Sequence, residues 1–369
     1  MFVFVFLSIY FLINLYFFRK IKSVFYIKVK SVYIPAFLFT LSPVFYKTYD
    51  KAGYDNFLLS FMILLWMGFV MLFFIFFFLV ETYNTSLKVI EKITGHNPIP
   101  SISDKKAFTV ILLLSLFTTT YGYLETLNLK IYRFKIHSEK VERDIKVMQI
   151  SDLHLNQVMR EDKIRKVLDV YNREKPDIVI STGDLVDGNI KYKHSYIELL
   201  QKMNPPLGKY AILGNHEYYA DVEQSIEFTE KAGFKLLRDD IFYLQDSIVL
   251  VGVDDEEAER FGVNRNTTDL DLLSKVDRDK FVIFLKHQPK IDERYRDKFD
   301  LALAGHTHGG VLFPVRYILR EIFIIDAGLV RLGKGYVFVS RGVGTGGPPV
   351  RIGAFPDVAI FEIKKSPKP

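Results

Sequence analysis

Phe57 to Val80 is 24 residues long and contains no charged side chain. At about 1.5 Å per residue, a helix of that length crosses the roughly 30 Å hydrocarbon core of a bilayer. Inside hydrocarbon, only a helix or a closed barrel satisfies its own backbone polar groups. The chain therefore has to build at least one membrane helix, and its neighbours extend the argument. Phe2 to Phe18 is also uncharged, and Ala107 to Tyr123 carries only hydroxyl-bearing polar residues. Val32 to Tyr46 is shorter and is interrupted by Pro35 and Pro43, but it too is uncharged and is flanked by Lys30 and Lys47. Such flanking lysines can reach the two interfaces and extend a short span. Reading these runs as core helices of a soluble protein would leave their length and phenylalanine content unexplained. We read residues 1–125 as a transmembrane region of about four helices, over 2–18, 32–46, 57–80 and 107–123. Arg19, Lys20 and Lys22 follow the first run rather than precede it, which is not the order of a secretory signal.

Lys and Arg accumulate on cytoplasmic loops. With four spans, residues 19–31 carry five and residues 81–106 carry four, against two in 47–56. That distribution puts the N-terminus and everything after the last span outside the cytoplasm. If Val32 to Tyr46 does not span, the rule reverses and the C-terminal part is cytoplasmic.

Charge also separates the two halves. Residues 1–130 hold 12 Lys/Arg against 6 Asp/Glu, so the remaining 37 of each sign balance in residues 131–369. A neutral C-terminal part lacks the basic footprint of nucleic-acid binding. With no cysteine in the chain, disulfides and thiolate metal ligands are excluded.

After a linker and first strand region over 126–144, apolar strand-like runs alternate with amphipathic segments. Ile164, Val167, Leu168 and Tyr171 fall at helical spacing, which predicts a helix over 161–174. Further helices are expected near 194–203, 221–232 and 267–276. The βαβαβ rhythm implies neighbouring parallel strands. Tyr336 to Ser340 and Val358 to Ile363 read as the last strands. The glycine-rich stretch Gly342 to Gly347 lacks the Gly-Lys-Ser/Thr ending of a phosphate-binding loop.

Five of the strand-like runs end on chemistry. Val147 to Ser151 runs into Asp152-Leu153-His154, and Asp177 to Ser181 into Thr182-Gly183-Asp184-Leu185-Val186-Asp187. Tyr210 to Leu213 runs into Gly214-Asn215-His216-Glu217, Phe281 to Leu285 into Lys286-His287-Gln288-Pro289, and Leu301 to Ala304 into Gly305-His306-Thr307-His308. In open α/β sheets, ligands collect beyond the carboxyl ends of strands. Singly, each pair is a commonplace of turns and surfaces, but five of the eight histidines fall at such ends. Imidazole with carboxylate and carboxamide, and no thiolate, suits Mn, Fe or Zn rather than Ca or a structural zinc site. Two metals about 3.5 to 4 Å apart would clamp the attacking and leaving oxygens of a phosphoryl displacement, and a carboxylate such as Asp184 can bridge them.

The ordered set Asp152-x-His154, Gly183-Asp184-x-x-Asp187, Gly214-Asn215-His216-Glu217, His287 and Gly305-His306-x-His308 resembles the calcineurin-like metallophosphoesterase superfamily. All of it lies within residues 145–310, inside a domain read as 145–369. The surrounding Gln-Ile-Ser-Asp-Leu-His, His-Gln-Pro and Gly-His-Thr-His-Gly-Gly, with the terminal Gly-x-Gly-Thr-Gly-Gly-Pro-Pro-Val-Arg, resemble the membrane-associated bacterial branch often labelled YkuE- or YaeI-like. Val311 stands where relatives often carry Gln, a departure that leaves the ligand positions intact.

The resemblance implies a four-layer α/β/β/α sandwich. It also implies two divalent metal ions, one held by Asp152, His154, Asp184 and His308, the second by Asp184, Asn215, His287 and His306. A metal-bound hydroxide would attack a phosphomonoester or phosphodiester, lipid- or nucleotide-linked substrates included. His216 would stabilise charge or protonate the leaving oxygen, with Asp152 orienting it. Asp187 and Glu217 are expected to support the ligands, and Arg341 and Arg351 are candidates for a phosphate clamp. The rival readings are a catalytically inactive binding module on the same fold, which the intact ligand set argues against, and a nuclease, which the neutral charge argues against. The expected location is a bacterial inner membrane, with the catalytic domain extracytoplasmic.

Overall fold

The computed structural model describes residues 2–28, 31–96, 101–156, 158–159, 161–190, 193–245, 247–263, 265, 267–311 and 315–366. It divides into two compact units, one of residues 1–124 with 347–350, the other of 125–346 with 351–369.

The first unit contains four helices, α1 (Phe2–Phe25), α2 (Tyr33–Lys51), α3 (Phe57–Thr94) and α4 (Asp104–Thr126). Each runs past the uncharged segment that announced it, because helix propensity does not stop at the membrane boundary. α3 starts where the Asn56 side chain accepts from the Leu59 N–H and stops at Gly95 in the left-handed conformation. Three of the four, all but α2, are long and apolar enough to cross a membrane. α2 takes in Lys47, Asp50 and Lys51 and has Pro43 inside it. Aromatic rings fill the space between α1 and α3, where Phe17 meets Trp66, Phe69 and Phe73 edge-on at 4.8–5.8 Å. The buried Asn14 amide is satisfied by Tyr10 O and the Trp66 indole N–H.

The second unit is two six-stranded sheets packed face to face. One has the order β1 (Lys130–Ser138), β12 (Asp357–Lys365), β2 (Ile145–Ile150), β3 (Ile178–Ser181), β4 (Lys209–Ala211), β5 (Lys235–Leu236). The other has the order β10 (Gly328–Leu332), β11 (Gly335–Val339), β9 (Leu301–Ala304), β8 (Phe281–Leu285), β7 (Ile248–Gly252), β6 (Asp240–Tyr243). β2 to β5 are parallel, as are β7, β8 and β9.

Strand alternation sorts the side chains into layers. Val147, Ile178, Ile180 and Ile212 from one sheet pack against Leu250, Ile283, Leu285 and Leu303 from the other. The opposite faces of the first sheet, with Met148, Ile150 and Val179, are covered by α5 (Glu161–Glu174), α6 (His194–Gln201) and α8 (Val222–Lys231), through Ile164, Val167, Leu199, Leu200 and Phe228. On the second sheet, Val249, Val251, Phe284 and Val339 are covered by Leu272 and Leu273 of α9 (Asp269–Ser274) and by Tyr295 and Phe299. The result is an α/β/β/α sandwich. The parallel strands β2, β3, β4, β8 and β9 all deliver their carboxyl ends to one edge.

Candidate metal centre

Leaving a parallel sheet, the chain must turn sharply to expose side chains at the strand tip. Asp152, His154, Asp184, His306 and His308 do so with φ between +48° and +70°, half of the ten non-glycine residues described with positive φ. Such conformations cost about 1–3 kcal/mol each and persist where the surroundings over-determine them. Here the surroundings are main-chain bonds between the first two loops. Asp152 N–H donates to Gly183 O at 3.0 Å, His154 N–H to Asp184 O at 2.9 Å and Leu155 N–H to Leu185 O at 2.9 Å. Gly183 has φ +93°, and a Cβ there would lie 2.7 Å from both Gly214 N and His287 Nδ1, so no larger residue fits. A Cβ on Gly344 would collide with the Leu153 carbonyl, which explains the glycine-rich segment as close packing beneath the first loop rather than a phosphate cradle.

The seven ligand positions read from the sequence converge. Asp152, His154 and His308 form one group whose ligand atoms all lie within 4.8 Å of one another, and Asp184, His287 and His306 form a second. Asp184 also groups with His154 and His216. Its Oδ2 is 3.7 Å from His154 Nε2 and 3.3 Å from His287 Nε2, placing one carboxylate between the two clusters. Asn215 Oδ1 lies 3.2 Å from His287 Nε2 and 2.9 Å from His306 Nδ1. His154 Nε2 and His308 Nε2 approach to 2.9 Å.

A second set of contacts holds these groups in place. His287 Nδ1–H donates to Thr182 O at 2.8 Å, which frees Nε2 to face Asp184 and Asn215. Asp152 accepts the His306 N–H at 3.0 Å and the Ser151 hydroxyl at 2.5 Å. That hydroxyl belongs to a buried chain running through Thr182 to Gln149. Ser151, Thr182 and Gln149 were not singled out in the sequence, and nothing in their spacing marks them. Glu217 accepts from three main-chain donors, Gly214 at 2.7 Å, Asp184 at 3.0 Å and Val186 at 2.9 Å, so it pins two ligand loops together.

Two expectations need correction. The group that orients His216 is Asp187, whose Oδ1 is 2.5 Å from His216 Nδ1. Asp152 is instead committed to Ser151, the His306 N–H and the ligand cluster. Asp187 Oδ2 is also 3.4 Å from His154 Nδ1, so one carboxylate steadies a ligand and its neighbour. Arg351 does not form a phosphate clamp. It is 0% exposed and donates to the carbonyls of Arg341, Ala354 and Gly344, with Nη2 2.9 Å from His308 Nδ1. Its guanidinium ties the glycine-rich segment to a ligand ring. Arg341 pairs with the buried Asp357 at 3.4 Å.

Burial dominates the electrostatics and neighbouring charges decide its outcome. Burial opposes ionisation of Asp184, but the imidazoles of His287, His216 and His154 hold it well below the usual carboxylate range. Burial pushes Asp152 up. His306 is pushed down to about 3 by burial and by the charge on His287, and His308 well below its ordinary value by burial and Arg351. Both rings are therefore neutral at physiological pH, with lone pairs to offer. Burial also opposes charging of His216, yet Asp187 and Asp184 pull it up to about 9.

Residues 145–310 match the family model of the calcineurin-like phosphoesterases. An uncharacterized metallophosphoesterase of Aquifex aeolicus is 48% identical over 257 residues, 69% of this chain and 98% of that protein. The uncharacterized metallophosphoesterase YkuE of Bacillus subtilis is 30% identical over 60% of this chain and 79% of its own length. A transmembrane protein with metallophosphoesterase domain from Danio rerio is 29% identical over 69% of this chain and 62% of its own. With a site that gathers carboxylate, carboxamide and imidazole at one sheet edge, the chain belongs to the calcineurin-like metallophosphoesterase family and is a metal-dependent phosphoester hydrolase.

Proposed function

We propose that the domain hydrolyses a phosphomonoester or phosphodiester, lipid-linked substrates included, with two divalent cations of Mn, Fe or Zn. One is held by Asp152, His154, Asp184 and His308, the other by Asp184, Asn215, His287 and His306. The observation that carries this reading is the Asp184 carboxylate, within 3.7 Å of a nitrogen from each cluster. The donor set fits divalent cations, since the neutral imidazoles of His306 and His308, the ionised Asp184 carboxylate and the Asn215 carboxamide oxygen converge. When bound, the cations supply Lewis acidity to the phosphoryl oxygens and a nucleophilic water.

The chain's own residues do the rest. Asp187 accepts from His216 Nδ1 and fixes the ring, so Nε2 carries the proton that neutralises the departing oxygen. The strained loops and Glu217 hold the ligands against rearrangement as charge builds on phosphorus. The balanced charge of residues 131–369 favours a small or lipid-borne phosphoester over a nucleic acid.

We also propose that α2 spans the membrane. Its uncharged residues, 33–46, amount to about 21 Å of helix, which lysines flanking the segment can extend to the two interfaces. It exposes Ile34, Phe37, Leu38, Leu41, Val44 and Phe45, a composition suited to lipid. Four spans support an extracytoplasmic domain.

The reading is tested by stripping the full chain of metal, reloading it with Mn, Fe or Zn, and assaying monoester, diester and lipid pyrophosphate substrates. Asp184→Asn and His287→Ala should abolish hydrolysis. His216→Ala should keep its metal and lose on the order of 10² or more in kcat. Full metal loss in His216→Ala would make that histidine a ligand instead.

A further inference from the structure

Among the described residues of the catalytic domain, seven large apolar side chains are exposed, and six of them fall in two banks, one beside His216 and one on either side of Phe323, which packs on His306. One bank is Tyr219 and Phe261, 45% and 50% exposed, with ring centroids 6.0 Å apart. Tyr219 lies 5.5 Å from the His216 ring. The other bank belongs to α10 (Val315–Ile322) and the turn after it. There Phe323 is buried with its ring edge-on to His306 at 5.7 Å, which seats this end of the helix on a metal-ligand position. Tyr317, Ile318, Ile322 and Ile324 stay exposed, Ile318 and Ile322 by 61% and 59%. Ile318 and Ile322 are one turn apart and share a face. Arg316 and Arg320 stay partly exposed but pair with the buried Asp326 at 2.9 and 2.6 Å, so the cations beside the stripe are matched by a carboxylate.

Scattered exposed apolar residues need no explanation, but a rim gathered around one site does. The same chain says what covers it. The last turn of α4, a helix apolar enough to cross a membrane, is itself part of the catalytic unit, because Glu125 Oε2 accepts the Gly353 N–H at 2.9 Å. Three residues, 127–129, separate that helix from β1. A domain so tethered meets lipid at high effective concentration, and a stripe of isoleucine and tyrosine whose neighbouring arginines are paired with Asp326 suits the acyl boundary rather than anionic headgroups.

We propose that this rim docks into the bilayer surface and presents the metal centre to phosphoesters carried in the lipid layer. The substrate half of the proposal rests on the phosphoesterase reading above; the docking half does not.

The chain has no cysteine, so single-cysteine labelling is clean. Ile318→Cys carrying an NBD fluorophore, in the full chain reconstituted in phosphatidylcholine vesicles, should emit as in an apolar medium and be quenched by a shallow doxyl-labelled phosphatidylcholine. Asp279→Cys, exposed at the opposite ends of the strands, should emit as in water and resist the quencher. Equal emission and equal quenching at the two positions would overturn the docking surface.

The paired change Ile318→Asp with Ile322→Asp should lower hydrolysis of vesicle-borne phosphatidic acid or cardiolipin by about tenfold or more. It should leave p-nitrophenyl phosphate within about twofold. Equal loss on both would overturn lipid presentation. If the unaltered chain hydrolyses no phosphoester with any metal, the phosphoesterase reading fails, and the quenching result still decides docking.

Discussion

Replacing Asp187 by Asn tests the contact that orients His216. The 2.5 Å contact between Asp187 Oδ1 and His216 Nδ1 is charge-assisted and partly shielded, the side chains being 18% and 23% exposed. Hydrogen bonds to charged groups contribute about 1.5–3 kcal/mol. If that energy is fully expressed while the proton moves, kcat falls by about 10- to 150-fold, since about 1.4 kcal/mol is a factor of ten. The loss should depend on the leaving group. An alkoxide needs the proton that His216 supplies and a p-nitrophenolate does not, so alkyl phosphates should suffer the full loss and p-nitrophenyl phosphate little. The pH profile should move as well. Burial opposes the charge on His216, but Asp187, with Asp184, raises its pKa to about 9. An acid works below its pKa, so removing the Asp187 charge shifts the alkaline limb of kcat to lower pH. Bound cations lower that limb in both forms, and the difference between them is the quantity to read. Because Asp187 also faces His154 Nδ1, metal content must be measured in parallel. Equal losses on alkyl and aryl esters at full metal occupancy, or an unmoved alkaline limb, would refute the role given to this pair.

Glu217→Ala leaves three main-chain N–H groups without their acceptor. At about 1–3 kcal/mol per buried unpaired group, the domain should lose about 3 kcal/mol or more. That is roughly 6–12 °C in Tm at this domain size, while Glu217→Gln, which keeps one oxygen, should lose less; an unchanged melting curve for the Ala variant would refute the pinning role. Protease added to spheroplasts should digest residues 131–369 if α2 spans and the domain is extracytoplasmic. Protection until the membrane is permeabilised would reverse the topology.

The convergence of the seven candidate positions was legible because strand ends in an open sheet have few uses for paired imidazole and carboxylate, and because their order is that of a known family. The helix over 161–174 was legible from its spacing, and its observed bounds are Glu161–Glu174. β1 was visible in principle, since Tyr132, Phe134 and Ile136 alternate with Arg133, Lys135 and His137. Its place beside β12 follows from long-range pairing that no local pattern encodes. α7 (Asn215–Ala220) was hidden because its apolar residues, Tyr218, Tyr219 and Ala220, are consecutive and show no helical spacing. The Asp187–His216 pair depends on how two loops from different strands face each other, and Arg351 reads as a phosphate-clamp candidate until its burial is known.

β12, the last strand of the chain, lies between β1 and β2, the first two strands of the catalytic domain. During synthesis, both neighbours are complete more than two hundred residues before the strand that joins them leaves the ribosome. Until then, each displays an open hydrogen-bonding edge of the kind that recruits stray strands. A chain cut short before Asp357 would carry its apolar helices and all seven candidate ligand positions, yet still lack the strand that closes its first sheet. The cue that such a chain is unfinished is therefore an empty slot between β1 and β2, which Asp357–Lys365 fills.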